Sequence, residues 1–337
     1  MRFAVLGLGF MGSTHLKALR AIPGVEVVAV CSVDERALTG DLSGIQGNIG
    51  GPGERLDFTH IRKYRDIEFV FEDPDVDAVD ICLPTNLHGA AAIGALRAGK
   101  HVLVEKPMAL DGATADSMVS AAEDHGRILM AAQVVRFLPA YTALREVVKR
   151  GELGSVRTAL FRRRCAAPAW GGWLTDPAQS GGGIFDLLIH DVDYCLHLFG
   201  RPEALLAAGY EDLASGIDCV DAQLFYPHGV VAVSGGWHNR GAYPFSAEYT
   251  VVLERGAVEY NPATPAPVLY GPGKDCRALP ISGQDGYAAE VEYFVECCLD
   301  GCPPELCPPA ESADAVKLMR LIMEARARKG KIIECRI

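Results

Sequence analysis

The first 130 residues alternate short apolar runs with segments of helical periodicity. Four runs carry almost no charge, at residues 3–8, 25–31, 78–83 and 101–104, which is typical of strands buried on both faces of a parallel sheet. Helical periodicity separates them at residues 13–21, 88–98 and 113–125, and a further strand is predicted at 128–131. This alternation predicts a doubly wound parallel sheet of the Rossmann type.

The pattern changes after residue 130. Five strand-like segments separated by turns follow, at residues 156–164, 221–226, 230–237, 248–253 and 257–260. Helices are predicted at 184–199, 287–299 and 310–329, with a last strand at 332–333. We therefore predict a Rossmann domain over residues 1–126 and an α+β domain with a large, mostly antiparallel open sheet over residues 127–337. The last helix could pack back on the first domain.

The strands of the second predicted domain have apolar residues on both faces, as in Val-Val-Ala-Val at residues 230–233. One face of such a sheet should pack on helices and the other on a second subunit. We expect a homodimer or homotetramer built through this C-terminal sheet.

A glycine-rich segment interrupts the first domain where a Rossmann fold normally carries a helix. Residues 40–53 contain six glycines and one proline, too flexible a composition to hold a helix well. A surface excursion is the favoured interpretation, and a flap beside the adenosine end of a cofactor is the alternative.

Composition and charge exclude several classes of protein. With 337 residues and a net charge of −11, the chain lacks the basic surface of a nucleic-acid binder. No apolar run approaches the ~20 residues that span a bilayer, and the chain opens directly on a strand, which favours a cytoplasmic protein. Four of its 11 cysteines cluster at positions 297, 298, 302 and 307, but they lack paired C-x-x-C spacing, so we predict no metal site.

Gly7-x-Gly9-x-x-Gly12 follows the first strand and opens the first helix, which is the context of a dinucleotide-binding fingerprint. Gly7 permits the tight turn, Gly9 lets the backbone approach a pyrophosphate, and Gly12 allows close helix–strand packing. Phe10 and Met11, between the last two glycines, supply backbone N–H groups at the helix start. These five residues are the predicted core of the cofactor site.

The end of the second strand bears on cofactor choice. NAD enzymes usually place an acidic residue there for the ribose hydroxyls, and this chain has Ser32. A serine can donate a hydrogen bond to a 2′-phosphate, and Arg36 is close enough to help. Asp34 could still reach the ribose. The cofactor is thus NAD or NADP, and these residues favour NADP.

Glu105-Lys106-Pro107 follows the strand at 101–104, at the carboxyl edge where open α/β sheets bind ligands. Lys106 can bring an amine to this edge, with Glu105 fixing its position and Pro107 stiffening the turn. A surface lysine beside a capping glutamate remains the alternative.

Four polar residues share one face of the helix at 184–199, which is otherwise rich in Leu, Ile and Phe. They are Asp186, His190, Asp193 and His197, spaced so that their side chains align. A metal site, a buried hydrogen-bonded stripe and a catalytic pair would each explain them. Nearby, Arg164 and Arg162 could meet an anionic substrate or lie on a solvated edge. Flat aromatic side chains on loops suit a sugar ring or a domain core; they are Trp170, Trp173, Trp237 and Tyr243, with His238.

Several ordered blocks resemble the family of glucose–fructose oxidoreductase, inositol dehydrogenase and the rhizopine catabolism protein MocA (Gfo/Idh/MocA). The blocks are residues 7–15, ending in His15; 82–88, a proline turn that ends in His88; 98–107, ending in Glu105-Lys106-Pro107; 136–139; and 181–190. They keep their order over nearly the whole chain. The glycine-rich segment and Ser32 depart from the family pattern.

The resemblance implies an NAD(P)-dependent dehydrogenase or reductase acting on CH–OH groups of a sugar, cyclitol or sugar derivative. It implies Lys106, Asp186 and His190 as catalytic residues that also meet the substrate. Arg164 and Trp173 are predicted as further substrate contacts from their positions on a strand and a loop, and not from the resemblance. The resemblance places Pro84, Thr85 and His88 beside the cofactor, together with Glu105 and Lys106, and implies a cis bond before Pro107. Two alternatives stay open: an NAD-dependent glycosidase that uses transient oxidation, and a cofactor-binding regulator without turnover.

Overall fold

The computed structural model describes residues 1–45, 47, 53–169 and 172–337. These residues form two compact units. The first comprises Met1–Val134 and Gly286–Ala313, and the second comprises Val135–Asp285 and Asp314–Ile337. A parallel sheet lies in the first unit and a mostly antiparallel sheet in the second, so the predicted fold class is confirmed.

The described part of the first unit has a parallel sheet of six strands: β1 (Arg2–Leu6), β2 (Glu26–Cys31), β3 (Arg62–Tyr64), β4 (Ala78–Ile81), β5 (His101–Glu105) and β6 (Leu129–Ala132). Five helices alternate with them: α1 (Phe10–Ala21), α2 (Glu35–Leu38), α3 (Ile67–Glu72), α4 (Thr85–Arg97) and α5 (Gly112–His125). The strand order is β3-β2-β1-β4-β5-β6. The winding therefore reverses between β1 and β4, and such a switch point is where open α/β sheets bind ligands.

The low charge of the predicted strands matches their burial. Every residue of β4 is buried, as are Phe3–Leu6 in β1 and Val102–Glu105 in β5. A glycine follows each of two helices, Gly99 after α4 and Gly126 after α5. Both have positive φ, at 78° and 58°, a backbone conformation that ends a helix and that glycine adopts at little cost. These elements follow the predicted boundaries to within three residues.

The glycine-rich segment carries no regular second Rossmann helix in its described part. Among the described residues between β2 and β3, the only helix is the four-residue α2, and Asp41 then forms a bridge with Arg55. A side chain at Gly47 would collide with the ring of Phe10, since its Cβ would lie 2.1 Å from Phe10 Cδ2. Residues 46 and 48–52, on which the flap hypothesis depends, lie outside the described residues.

The second unit is built on a sheet whose described strands are β7 (Val156–Cys165), β8 (Ala204–Asp212), β9 (Ile217–Tyr226), β10 (Gly229–His238), β11 (Ser246–Leu253), β12 (Gly256–Tyr260), β13 (Val268–Tyr270), β14 (Cys276–Ala278) and β15 (Ile333–Glu334). Their order is β14-β13-β12-β11-β7-β10-β9-β8-β15. Among these strands only β7 and β10 pair in parallel.

The remaining helices are α6 (Pro139–Arg150), α7 (Pro177–Ser180), α8 (Gly183–Phe199), α9 (Gly286–Asp300) and α10 (Pro309–Ala327). Of these, α8 packs on β10, β9 and β7 of the second unit. Helix α9 belongs to the first unit and contacts α1 there, whereas α10 begins in the first unit and continues in the second.

The two faces of the second sheet differ. Val231 and Val233 of β10 are buried, while Val230 and Ala232 on the opposite face are only half-buried. That outer face also carries charge, because the half-buried Arg162 lies on β7. The expectation of apolar strands on both faces therefore holds for β10 and not for β7, and the outer face is a mixed apolar and charged surface.

All 11 cysteines are free thiols. Cys297 and Cys307 are buried and Cys302 is exposed, and within the described chain the four clustered thiols do not form a group with metal-ligand spacing. No helix in the described ranges is both long and apolar enough to cross a bilayer.

Candidate active site

The three fingerprint glycines meet the steric conditions predicted for them. Gly7 has φ +92°, and a Cβ there would lie 2.4 Å from the Cys82 carbonyl oxygen. A Cβ on Gly12 would lie 1.9 Å from the Gly7 carbonyl oxygen, so any side chain would separate α1 from β1. A Cβ on Gly9, in contrast, meets nothing within 4 Å among the described atoms. The backbone at Gly9 is thus open to a close approach by a phosphate.

The start of α1 is suited to an anion. Gly9 is the N-cap and supplies no side chain to cap the helix, and the first turn contains no acidic residue. The N–H groups of a first helical turn have no partner within the helix, and the helix dipole adds positive potential at this end. Phe10, Met11 and Gly12 therefore present N–H groups where a pyrophosphate would lie.

An acidic residue, Asp41, lies close to the side chains that follow β2. Ser32 Oγ accepts a hydrogen bond from the Asp34 N–H, at 3.1 Å, and Asp34 in turn caps α2. The guanidinium of Arg36 donates to Asp41 Oδ2 at 3.0 Å and to Ser43 Oγ at 3.0 Å. The hydrogen bond from Arg36 holds the pKa of Asp41 below its usual range. A 2′-phosphate would therefore compete with Asp41 for Arg36.

The turn after β4 is tied to the turn after β5 through His88. The Nε2 atom of His88 lies 2.7 Å from the Leu83 carbonyl oxygen, and Nδ1 lies 2.8 Å from the Pro107 carbonyl oxygen. Burial lowers the pKa of His88, while the two carbonyl oxygens oppose that shift. The ring fixes the positions of both turns, and Pro84 forms the N-cap of α4 between them.

Two buried polar side chains lie at this same sheet edge. Thr85, the first residue of α4, and Gln133, which follows β6, are each 1% exposed. The hydroxyl of Thr85 and both amide atoms of Gln133 have no hydrogen-bond partner among the described residues. Buried polar groups normally have partners, so these atoms fit a ligand with polar groups of its own. Together with the room at Gly9, they show that this edge suits a nicotinamide dinucleotide.

Lys106 follows the last residue of β5 and is half-buried. Its N–H donates to Glu105 Oε2 at 2.9 Å, and the peptide bond to Pro107 is cis, as the resemblance implied. Glu105 is itself buried. Residues Gly7, Pro84 and Lys106 therefore follow β1, β4 and β5 at one carboxyl edge of the sheet.

A buried charge cluster lies behind Glu105. His15 Nδ1 lies 2.9 Å from Asp80 Oδ2, and His15 Nε2 lies 3.3 Å from Glu105 Oε1 and 3.9 Å from Glu290 Oε1. Burial lowers the pKa of His15, but the charges and hydrogen bonds of Asp80 and Cys82 together place that pKa well above its ordinary value. Burial raises the pKa of Glu105, but contact with His15 and Lys106 lowers it overall. A cationic His15 thus helps to hold Glu105 ionised beside Lys106.

No pattern in the sequence indicates this cluster except the position of His15 after the fingerprint. Asp80 lies in an apolar strand and Glu290 lies far along the chain, on α9. Ligand atoms of His15, Asp80 and Cys82 also lie within 4.8 Å of one another, so this group has a composition that could hold a metal ion. The expectation that the protein holds no metal stays a prediction.

Asp186 and His190 lie one turn apart on α8 of the second unit. Both are half-buried, whereas most residues of this helix are buried. The helix starts against Asp218, whose Oδ2 accepts from the Ile184 N–H at 2.9 Å. Gly183 is required at this start, because a Cβ there would lie 2.5 Å from the ring of Trp237. The helix therefore presents Asp186 and His190 from a fixed position within this unit.

The aromatic residues predicted to lie around the substrate occupy different environments. Trp237 is buried and packs in a small core cluster with Cys165, Ala167 and Leu187, so it belongs to the domain core. Trp173 is half-buried in a short 3₁₀ helix, and His238 stacks on Tyr243 with ring centroids 5.0 Å apart. Trp170 lies outside the described residues.

Arg162 and Arg164 both reach Glu248 on the neighbouring strand β11, with Arg164 Nη2 at 2.8 Å from Glu248 Oε1. Strand β7 is the fifth of nine in the sheet order, so the interpretation of these arginines as a solvated edge is wrong. The contact with Glu248 partly neutralises Arg164, whose role as a substrate contact stays a prediction.

Comparison with known proteins agrees with this geometry. Residues 1–133 match the family described as an oxidoreductase family with an NAD-binding Rossmann fold, and residues 141–259 match the GFO/IDH/MocA C-terminal domain. The chain belongs to the Gfo/Idh/MocA family. It is therefore an NAD(P)-dependent oxidoreductase.

Curated relatives in the Gfo/Idh/MocA family match most of the chain. Myo-inositol 2-dehydrogenase of Thermotoga maritima is 27% identical over 319 residues, covering 90% of each chain. Trans-1,2-dihydrobenzene-1,2-diol dehydrogenase of Bos taurus is 33% identical over 241 residues, covering 68% of this chain and 66% of the relative. A solved structure of levoglucosan dehydrogenase with NADH is 19% identical with a TM-score of 0.85, covering 99% of this chain and 98% of the other. That likeness shows the fold.

Asp193 and His197 of this Gfo/Idh/MocA protein contact a buried arginine. Arg136 donates to both carboxylate oxygens of Asp193, at 2.8 and 2.7 Å, and its Nη1 lies 3.2 Å from His197 Nδ1. A second buried pair joins Arg163 to Asp191 at 2.7 Å. These contacts support the buried-stripe explanation for Asp193 and His197.

Replacing Asp193 by alanine should therefore destabilise the protein more than it alters turnover. The change leaves the buried charge of Arg136 without its carboxylate, which typically costs about 3–5 kcal/mol. Urea unfolding measures the loss. Glu146→Ala, which removes an exposed partner of Arg145, should cost less than about 1 kcal/mol. An unchanged unfolding free energy for Asp193→Ala would contradict the structural role.

Proposed function

We propose that the protein is a dehydrogenase that oxidises a secondary hydroxyl, or reduces the matching ketone, of a sugar, cyclitol or sugar derivative. Its reaction would belong to the CH–OH class. The observation that carries the proposal is the shared sheet edge: an open phosphate cradle at Gly9 and the amine-bearing Lys106 follow strands β1 and β5 of one sheet. The named relatives, which act on myo-inositol and on a cyclic diol, support a hydroxylated ring as substrate.

The proposed division of labour follows the predicted domains. Residues 1–126 supply most of the cofactor site, and residues 127–337 bind the substrate and mediate assembly. Within the first, the cofactor residues are Gly7, Gly9, Phe10, Met11, Gly12, Ser32, Arg36, Pro84, Thr85, His88, Glu105 and Lys106. When bound, the nicotinamide accepts or returns a hydride at the reacting carbon.

The chain's own residues would handle the proton and the charge. His190 would take the hydroxyl proton as a general base, with Asp186 one turn earlier to orient its ring. The ammonium of Lys106 would stabilise the negative charge that develops on the substrate oxygen. Glu105, hydrogen-bonded to the Lys106 N–H, would hold that residue in place. Trp173 and Arg164 are the proposed further substrate contacts.

A substrate panel tests the proposal. Sugars, cyclitols and sugar acids are each offered with NAD⁺ and with NADP⁺, and the absorbance of the reduced nicotinamide is followed. Turnover with at least one hydroxylated ring is the expected result. Cleavage of a glycoside with no net reduction would favour the glycosidase alternative. Tight cofactor binding with no turnover across the panel would favour the regulator.

For the cofactor we propose NADP over NAD. Ser32 can donate to a 2′-phosphate, and Arg36 supplies positive charge nearby. Asp41 weakens this preference, because it already pairs with Arg36.

Ser32→Asp should shift the ratio of dissociation constants toward NAD by at least about tenfold, because the new carboxylate repels a 2′-phosphate and accepts from a ribose hydroxyl. Asp41→Asn should shift the ratio the opposite way, because Arg36 loses its anionic partner. Calorimetric titration of both cofactors measures the ratio, and Glu123→Gln on α5 is the control. If the unaltered protein already binds NAD tenfold more tightly than NADP, the preference is wrong.

We also propose that two or four copies assemble through the outer face of the second sheet. On this face Leu160 of β7 is 38% exposed and Val252 of β11 is 37% exposed. Charged residues also lie on the same face. Apolar side chains at the centre of a sheet face are typical of a covered surface.

Light scattering at micromolar concentration should give the mass of a dimer or tetramer. Leu160→Glu should lower that mass, because it places a charge where the copies meet. Phe69→Glu also replaces an exposed apolar side chain by a carboxylate, on α3 of the first unit, and should leave the mass unchanged. A monomeric unaltered protein would remove the proposal.

A further inference from the structure

Gln133 is a buried amide for which the described residues provide no partner. Its side chain is 1% exposed, and neither Oε1 nor Nε2 has a hydrogen bond within the described chain. Leaving a buried donor and acceptor unsatisfied is costly, and native proteins rarely do so without a reason. The amide therefore suits a group that offers a donor and an acceptor together.

The place of Gln133 in the sheet narrows the choice of ligand. Strands β5 and β6 pair in parallel with Glu105 opposite Ala132, so Lys106 and Gln133 are the residues that follow this last pair. Both come at the carboxyl edge of the half-sheet β4-β5-β6. In a doubly wound sheet each half binds one mononucleotide. Since the glycine fingerprint opens the other half, this half should take the nicotinamide mononucleotide.

Thr85 adds an independent observation at the same edge. It opens α4 after β4, is 1% exposed, and its hydroxyl also has no partner among the described residues. Two separate strands of the half-sheet thus end in buried polar groups that need a ligand.

The chemistry of the amide selects one part of that mononucleotide. A phosphate only accepts hydrogen bonds and would satisfy Nε2 alone, and a single hydroxyl oxygen is too small to serve both ends of the amide in good geometry. The two neighbouring ribose hydroxyls could serve both ends, and an analogue that keeps the ribose and alters only the carboxamide distinguishes them. The nicotinamide carboxamide has an NH₂ donor and a carbonyl acceptor at the same separation as those of glutamine. Two primary amides can therefore form a reciprocal pair of hydrogen bonds.

We propose that Gln133 binds the carboxamide of the nicotinamide ring and so fixes which face of the ring is presented beside Lys106. The inference deepens the proposed function and rests on it. Gln133 acts as a positioning residue, because the carboxamide that it holds sets the rotation of the ring.

The test combines a variant with a cofactor analogue. Gln133→Met keeps the length of the side chain and removes both polar atoms, with Gln133→Leu as a second variant. Dissociation constants are measured by calorimetry for the natural oxidised cofactor and for its 3-acetylpyridine analogue, in which a methyl group replaces the carboxamide NH₂. The melting temperature of the cofactor-free protein is measured in parallel.

Gln133→Met should weaken binding of the natural cofactor about tenfold, the worth of one to two net hydrogen bonds. The loss for the analogue should be smaller by about threefold, because the analogue has lost one of the two bonds already. The melting temperature without cofactor should stay the same or rise, since the apolar side chain removes an unsatisfied buried amide.

Three results would overturn the proposal: equal losses for cofactor and analogue, no loss for either, or a raised substrate KM with unchanged cofactor affinity. A lower melting temperature without cofactor in both variants, with unchanged cofactor affinity, would show that the amide serves a buried water or the fold. Failure of the proposed function is a separate result, since the unaltered protein would then either bind neither NAD nor NADP or bind a cofactor without turning over any substrate of the panel.

Discussion

Replacing His190 by alanine is expected to lower kcat by about 10²–10⁴, the usual worth of a positioned acid–base group. The cofactor dissociation constant should change little, because His190 lies on α8 of the second unit and the fingerprint lies in the first. The decisive measurement is kcat across the pH range with the substrate that the panel identifies. Raising the pH should not restore the kcat of the His190→Ala protein, because the group that accepts the proton is absent. Hydroxide could replace it only at the upper end of the pH range in which the protein is folded.

The matched control is His228→Ala, which removes an exposed histidine from a turn of the same unit. It should leave kcat within about twofold, because surface substitutions rarely disturb a distant site. Turnover close to that of the unaltered protein for His190→Ala, at every pH, would place the proton acceptor elsewhere. Lys106 would then become the candidate base.

Replacing Lys106 by methionine is expected to lower kcat by about 10²–10³, the usual cost of losing one group that stabilises a developing oxyanion. The methionine keeps most of the side-chain volume, so the loss reports on the charge. Substrate KM should change less than kcat, because the ammonium interacts most strongly with the charge that exists only in the transition state.

Lys63→Met, at an exposed position of β3 in the same unit, is the control for general loss of positive charge. It should leave both kinetic constants nearly unchanged. A Lys106→Met protein with normal kcat and raised KM would show that Lys106 only binds the substrate, and the proposed stabilisation of the alkoxide would be wrong.

The fold of the first unit could be predicted well because its signals are local. Parallel strands buried on both faces form uninterrupted apolar runs, and glycines at positions 7, 9 and 12 mark a turn whose geometry excludes side chains at two of them. Helix α8 could also be predicted, since Asp186 and His190 lie one turn apart in a segment rich in apolar residues. The apolar and helical patterns did not predict the strands β3, β8, β13 and β14 or the helices α2, α3, α6 and α7.

One of those omissions has a physical cause. Strand β8 ends in Gly-Tyr-Glu-Asp, and its outer residues are exposed, so its stability comes from pairing with β9 rather than from its own apolar pattern. Helix α6 buries only Ala140, Tyr141 and Leu144. Its apolar residues nevertheless recur at helical spacing, so this pattern could have been used to predict it.

The electrostatic parts of the site could not be predicted, because they join residues far apart in sequence. His15 meets Asp80 65 residues later, and Arg136 meets Asp193 57 residues later. A single sequence does not indicate which residues that are distant along the chain form such pairs. Gln133 did carry a signal that could have been used: it is the one polar residue between Ile128 and Val135, at a predicted strand end.

Hydride transfer between substrate and nicotinamide can be tested directly with a deuterium label. The active substrate from the panel is labelled with deuterium at the carbon that bears the reacting hydroxyl and is incubated with the unaltered protein and oxidised cofactor. We expect one deuterium on the nicotinamide ring of the released cofactor for each molecule of ketone formed. Ketone formed without deuterium on the ring, or deuterium returned to a cleaved sugar with no reduced cofactor released, would contradict that expectation.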